Sequence, residues 1–112
     1  MDEQLTSRHC KPCEGGVQPH DAAKAKEMLA QVPGWQLNEE ANTIQRTFKF
    51  KDFYHTMAFV NAVAWIANQE DHHPDMEVGY GRCVLHFSTH AIGGLSDNDF
   101  ICAAKVNALV ES

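Results

Sequence analysis

Between Phe53 and Glu70 apolar side chains recur at spacings of three and four: Phe53, Met57, Val60, Ala64 and Ala67, with Phe59, Val63 and Ile66 beside them. That period places a wide apolar stripe along a long helix, and such a stripe needs a surface to cover. Segments of the other period flank it. Trp35 and Leu37 alternate with Gln36 and Asn38, and Ile44, Arg46, Phe48 and Phe50 alternate with Gln45, Thr47 and Lys49, Arg46 being the imperfect member of that face. Beyond the helix, Met76, Val78 and Tyr80 alternate with Glu77 and Gly79, then Cys83, Leu85 and Phe87 with Val84, His86 and Ser88. Alternation gives a strand one apolar and one polar face. The polar turn over 38–42 and the tight connection at Gly81-Arg82 make each pair a hairpin.

Local signals bound the helices. Asp21 is a candidate N-cap for a first helix over 22–32, which Pro33-Gly34 ends. Pro74 disfavours helical backbone at His73, so the long helix is expected to stop near Asp71 or His72. Gly93-Gly94 breaks the second hairpin, and Ser96 can cap a last helix over 97–110, with Ile101, Ala104, Lys105, Ala108 and Leu109 partly inward. The order is α-β-β-α-β-β-α, an α+β fold with a four-stranded antiparallel sheet and three helices packed on one face. Residues 1–20, with Cys10, Pro12, Cys13, Gly15, Gly16 and Pro19 and little apolar period, read as a loosely ordered arm. Residues 21–112 then form a single domain, small enough that pairing as a homodimer or homotetramer is expected.

Charge removes some functions. Nine Lys and Arg against 15 Asp and Glu give a net charge of −6, which opposes direct binding to a phosphate backbone. No apolar run is long enough for a membrane span, and residues 1–8 lack the apolar core of a signal peptide. The expectation is a cytoplasmic protein whose four cysteines are reduced thiols.

Of seven histidines, three fall at element ends. His72 and His73 sit where a helix stops and the chain turns extended, so both can reach one cavity. His90 follows a strand, ahead of a connection over 91–94 read as flexible. Imidazole is the natural acid or base near neutral pH, and a helix C-terminus favours a protonated ring. A histidine at a helix end also serves simply as a cap. Asp99 has two readings: Ser96-x-x-Asp99 resembles a capping box, while a carboxylate can also orient an imidazole. The two roles can coexist.

The ordered set His72-His73-Pro74, Tyr80, His90 and Asp99 resembles the signature of the pterin-4a-carbinolamine dehydratase family. Phe48-Lys49-Phe50-Lys51-Asp52-Phe53, Ser88-Thr89-His90 and Gly94-Leu95-Ser96 resemble it too, so that the likeness covers roughly residues 21–112. It implies a four-stranded antiparallel sheet with three helices on one side. It also implies a hydro-lyase that dehydrates 4a-hydroxytetrahydropterin to quinonoid dihydropterin, recycling tetrahydrobiopterin for an aromatic amino-acid hydroxylase without a metal or organic cofactor. By position His72 and His90 match acid–base histidines and His73 one that holds the substrate. Asp71, Pro74 and Asp99 match lining or supporting positions. Many members carry an acidic residue four positions before the first motif histidine; here it is Asn68, which hydrogen-bonds but brings no charge. Some relatives act as dimerisation partners of a transcription factor and others in molybdopterin metabolism, and both remain alternatives.

Two further signals carry less. Cys10-x-x-Cys13, with His9 and His20 nearby, is half a zinc site at most and otherwise a pair of thiols. His72, His73, His90 and Asp99 could suit a divalent metal, but adjacent histidines lack the helical i, i+4 spacing of metalloprotease ligands. His55 reads as solvated surface, His86 as a sheet neighbour of Ser88.

Overall fold

The computed structural model describes residues 4–12 and 18–111. Asp21 accepts the Lys24 N–H at 2.8 Å and opens α1, Ala22–Leu29. This helix is shorter than its composition predicts. Pro33 disfavours α backbone at Val32, and the chain tightens instead, with Gln31 N–H donating to Met28 O and Val32 N–H to Leu29 O. β1 (Gln36–Leu37) and β2 (Ile44–Lys49) form the first hairpin; α2 (Phe53–Glu70), capped by Asp52, crosses to the second, β3 (Asp75–Gly79) and β4 (Arg82–Phe87); α3 is Asp97–Val110.

The sheet order is β1-β2-β4-β3, every neighbour antiparallel. The register sets Ile44 opposite Phe87, Arg46 opposite Leu85 and Phe48 opposite Cys83, which lines the alternating apolar positions into one face. The three helices cover that face. Phe59 of α2 meets Phe48 at 4.6 Å between ring centroids, Trp35 meets Phe87 at 5.7 Å, and Ala25, Val63, Phe100 and Ile101 complete the same buried cluster.

Two helix faces differ from expectation. In α2 the buried residues are Thr56, Phe59, Val63 and Ala67, whereas Phe53 and Ala64 are exposed. The helix is apolar on so much of its surface that sequence period alone does not fix its rotation. In α3, Val106 and Asn107 are buried and Ala108 and Leu109 are exposed. The cause is polar: the Asn107 side-chain oxygen accepts from the Trp35 indole at 2.8 Å and from Arg46 at 2.6 Å, and its amide donates to Pro33 O at 3.0 Å. Arg46 thus reaches the end of an apolar face and lies over the Phe48 ring.

The described part of the arm is docked rather than loose. Leu5, in a 3₁₀ turn over Leu5–Ser7, is buried in the core. Lys11 N–H donates to Asn98 and Asn98 donates back to Lys11 O; Arg8 pairs with Asp97 at 2.9 Å; Cys10 N–H donates to Glu70 at 2.7 Å. These partners lie 60 to 89 residues away, beyond the reach of local composition. Cys13 lies outside the described residues.

Removing Asn107 strands the buried Trp35 N–H, while the Arg46 guanidinium keeps the Pro33 carbonyl at 3.2 Å. Asn107→Ala should lose about 1–3 kcal/mol in urea unfolding, the cost of one unmet buried donor; a loss within the error of the wild type would show the network idle. The arm has a pH signature. Burial pushes the Glu70 carboxyl up, but the Cys10 N–H, the His9 ring and the Lys105 ammonium outweigh burial and hold it below its ordinary 4.5. A carboxyl lowered by folding stabilises fully above its unfolded value and loses that contribution as pH falls through the folded one. Hydrogen-exchange protection of the Cys10 amide should therefore fall on acidification below about pH 4.5 and stay level above it. Protection unchanged down to about pH 3 would remove Glu70 as the anchor.

Candidate functional site

The site forms where α2 stops. Asp71 takes the left-handed conformation, φ 50° and ψ 43°, which short polar residues tolerate better than most. Asp71 and His72 both turn their N–H groups back to Ala67 O, and Pro74 then starts the extended run into β3. This reversal sets His72, His73 and Pro74 along one wall of a cavity of about 480 Å³. Ser88, Thr89, His90 and Ala91 line it from the end of β4, and Lys11, Pro12 and Asn98 from the arm and α3. Asp71 and Asp75 lie at the same wall as the histidines.

The connection after His90 is closed rather than flexible. His90–Ile92 is a 3₁₀ turn, Gly93 has φ 66°, and Thr89 N–H donates to Gly94 O at 2.8 Å. A side chain at Gly94 would come within 2.7 Å of Pro19, which requires glycine there.

His72 is the most constrained of the three imidazoles. Its side chain is 10% exposed and its Nε2 lies 2.6 Å from Asp99 Oδ1. Its ring stacks on Phe87 at 7° between planes. The other oxygen, Asp99 Oδ2, accepts from Thr89 Oγ1 at 2.8 Å and from Ser96 N–H at 3.0 Å. The capping and orienting roles therefore coexist, one per oxygen. A carboxylate only accepts, so Nε2 carries the proton towards Asp99, and the tautomer and ring plane are set. Nδ1 is left without a protein partner among the described residues. His73 and His90 are exposed and make no side-chain hydrogen bond to described residues.

The remaining expected positions separate. Asp99 is fully buried and outside the cavity lining; it acts through His72. Asn68 is exposed on α2 and also outside the lining. His55 pairs with Asp52 and His86 with Glu77, and neither histidine is part of the cavity lining. Among the described residues no group of three or more His, Cys, Asp or Glu side chains is arranged to hold a metal ion. The sequence marks Thr89 as part of a motif but not its role, the hydrogen bond to Asp99, because a hydroxyl carries no period. Sequence reasoning missed Lys11 and Pro12 because nothing local ties the arm to the histidines.

Comparison with known proteins shows the family and the fold. The family model described as pterin 4 alpha carbinolamine dehydratase matches residues 18–109. A Nitrosomonas eutropha protein named "Putative pterin-4-alpha-carbinolamine dehydratase" is 62% identical over 109 residues, covering 96% of this chain and 95% of that one. The crystal structure of a transcriptional coactivator/pterin dehydratase from Brucella melitensis superposes with a TM-score of 0.78 at 33% identity, over 82% of this chain and 98% of that one. A pterin dehydratase-like protein identified as a RuBisCO assembly factor in the alpha-carboxysome shares the fold, with a TM-score of 0.61 at 21% identity, over 70% of this chain and 92% of that one.

Asp99→Asn keeps the shape but turns an amide N–H₂ towards one of three donors. It should lower urea-unfolding stability by about 1–3 kcal/mol and release the His72 tautomer, read from its ¹⁵N ring shifts. Wild-type stability and ring shifts together would show that the carboxylate does neither job.

Proposed function

Because the chain belongs to the pterin-4-alpha-carbinolamine dehydratase family, we propose that it is a hydro-lyase that eliminates water from a 4a-hydroxytetrahydropterin to give quinonoid dihydropterin. The observation that carries this reading is that His72, His73 and His90 share one cavity and that a buried carboxylate fixes the ring of His72. In the substrate, C4a bears the hydroxyl and adjoins N5–H. Elimination delivers a proton to the departing oxygen, removes one from N5, breaks C4a–O and forms C4a=N5. These are acid and base tasks at adjacent atoms of a flat bicycle, and they suit two imidazoles that line one cavity.

We assign the two proton transfers to His72 and His90, the order depending on which face carries the hydroxyl. His73 holds the ring, and Asp71 and Pro74 shape its wall. The reaction so written uses no metal or organic cofactor. Recycling of tetrahydrobiopterin for an aromatic amino-acid hydroxylase, in the cytoplasm, is the cellular role that fits this chemistry. A molybdopterin substrate remains the alternative within the family; Asn68, exposed and outside the cavity lining, adds no weight to it.

A second reading, an interaction module, has support of its own. Tyr54 and Trp65 are 76% and 66% exposed on α2, and the Brucella relative is described as a coactivator as well as a dehydratase. The same exposed aromatic side chains are where a homodimer or homotetramer would draw its contacts.

The test is dehydration of freshly generated 4a-hydroxytetrahydropterin. His72→Ala and His90→Ala should each lower kcat by about 10²–10⁴-fold, and His73→Ala should act mainly on KM. Wild-type rates in both single variants and in the double would remove these rings from the mechanism. A wild-type protein with no rate above buffer would leave the interaction module as the reading.

A further inference from the structure

Cys10 and Cys102 belong to no part of the site described above, yet they meet across its arm wall. Their Sγ atoms are 3.5 Å apart, and Cys10 Sγ also donates to Asn98 O at 3.6 Å. Both thiols are free. Cys10 sits in the arm directly before Lys11 and Pro12, which line the histidine cavity. Its N–H is held by Glu70, the last residue of α2. Cys102 is fully buried one turn along α3 from Asn98. One covalent bond here would join the arm to the helix that carries Asp99.

We infer that Cys10 and Cys102 form a peroxide-oxidisable dithiol whose disulfide pins the arm wall of the cavity. The step uses a hydroperoxide as oxidant. The partly exposed Cys10 sulfur attacks the peroxide O–O bond, giving Cys10 sulfenic acid and releasing hydroxide, which takes up the thiol proton as water. Cys102 then attacks that sulfur, S–S forms, S–O breaks, and a second water leaves with the Cys102 proton. Two thiols and one hydrogen peroxide give one disulfide and two waters. The sulfurs need close only ~1.5 Å to reach the bond length of about 2.05 Å. Exposure sets the order. Peroxide reaches Cys10, while the hydrogen bond to Cys10 and burial push the Cys102 thiol up and keep it protonated until its partner is oxidised. Cys83 is buried in the apolar core and pairs with neither.

The experiment treats reduced, full-length protein with hydrogen peroxide and maps its peptides without reductant by mass spectrometry. A Cys10–Cys102 cross-link is expected. It should be reversed by dithiothreitol, present in Cys13→Ser and absent in Cys10→Ser and in Cys102→Ala. The cross-link closes most of the chain into one loop, so the oxidised form should melt on the order of 10 °C higher and resist proteolysis in residues 4–12. Cys10→Ser alters a partly exposed side chain and carries the test even if Cys102→Ala does not fold. A Cys10–Cys13 disulfide instead, oxidation of Cys10 to sulfinic acid with Cys102 unmodified, or a zinc ion that co-purifies and is lost in Cys10→Ser would each overturn the inference. A cross-link that lowers the melting temperature would overturn the pinning. None of these readouts depends on turnover of a pterin, so failure here and failure of the proposed activity are separate results.

Discussion

A carboxylate with no exposure to solvent sits between three elements of this fold. Taking Asp99 out of water costs several kcal/mol, and the structure offsets that with three donors: Ser96 N–H, the Thr89 hydroxyl and the His72 ring. Each such bond to a charged group contributes about 1.5–3 kcal/mol. The donors come from the start of α3, the end of β4 and the end of α2. Folding of all three elements is therefore a condition for burying the charge, and burying the charge fixes the ring. His72 is not a side chain placed on a finished scaffold; its position is one of the bonds that completes the scaffold.

Much of this was readable from the residues. The alternation of Ile44 with Phe48 and of Cys83 with Leu85 and Phe87 dictates which sheet face is covered, and Pro74 dictates where α2 ends. The three imidazoles were legible because chain punctuation marked them: a helix stop for His72 and His73, a strand end for His90. The rotation of α2 was not legible, because Phe53, Met57 and Val60 compete with Phe59 and Val63 for the same core. Nor was the inward face of α3, since Asn107 faces in for its hydrogen bonds and displaces Ala108 outwards. The docking of the arm was hidden for a different reason. Its partners, Glu70, Asp97 and Asn98, are far along the chain, and the signal lies in pairing rather than in period.

Asn107 does for the opposite end of α3 what Asp99 does for its start. It ties the helix to Trp35 ahead of β1, to Arg46 on β2 and to the carbonyl of Pro33. The two anchors are eight residues apart, roughly 12 Å along the helix axis, and the buried stretch Phe100–Ala104 lies between them. Apolar contact supplies most of the driving force for packing α3, but it is non-directional. The polar groups at either end select one axial position and one rotation, which is why a helix so apolar along its middle still has a defined register.

The walls of the cavity differ in how they are held. The wall of His72 rests on Phe87 and on the Asp99 network, and the wall of His90 is closed by the Thr89–Gly94 pairing. Among its described residues the arm has one apolar anchor in the core cluster besides Cys10, namely Leu5; the other ties of those residues are hydrogen bonds and ion pairs, several with exposed partners. Regions with little apolar burial open at lower free energy than the core, and exposed ion pairs add little to close that gap. The geometry of the imidazoles and the access to them are thus governed by different parts of the chain. His72 is held by bonds that break only when the fold breaks, whereas the wall bearing Lys11 and Pro12 rests on ties of the kind that open more readily.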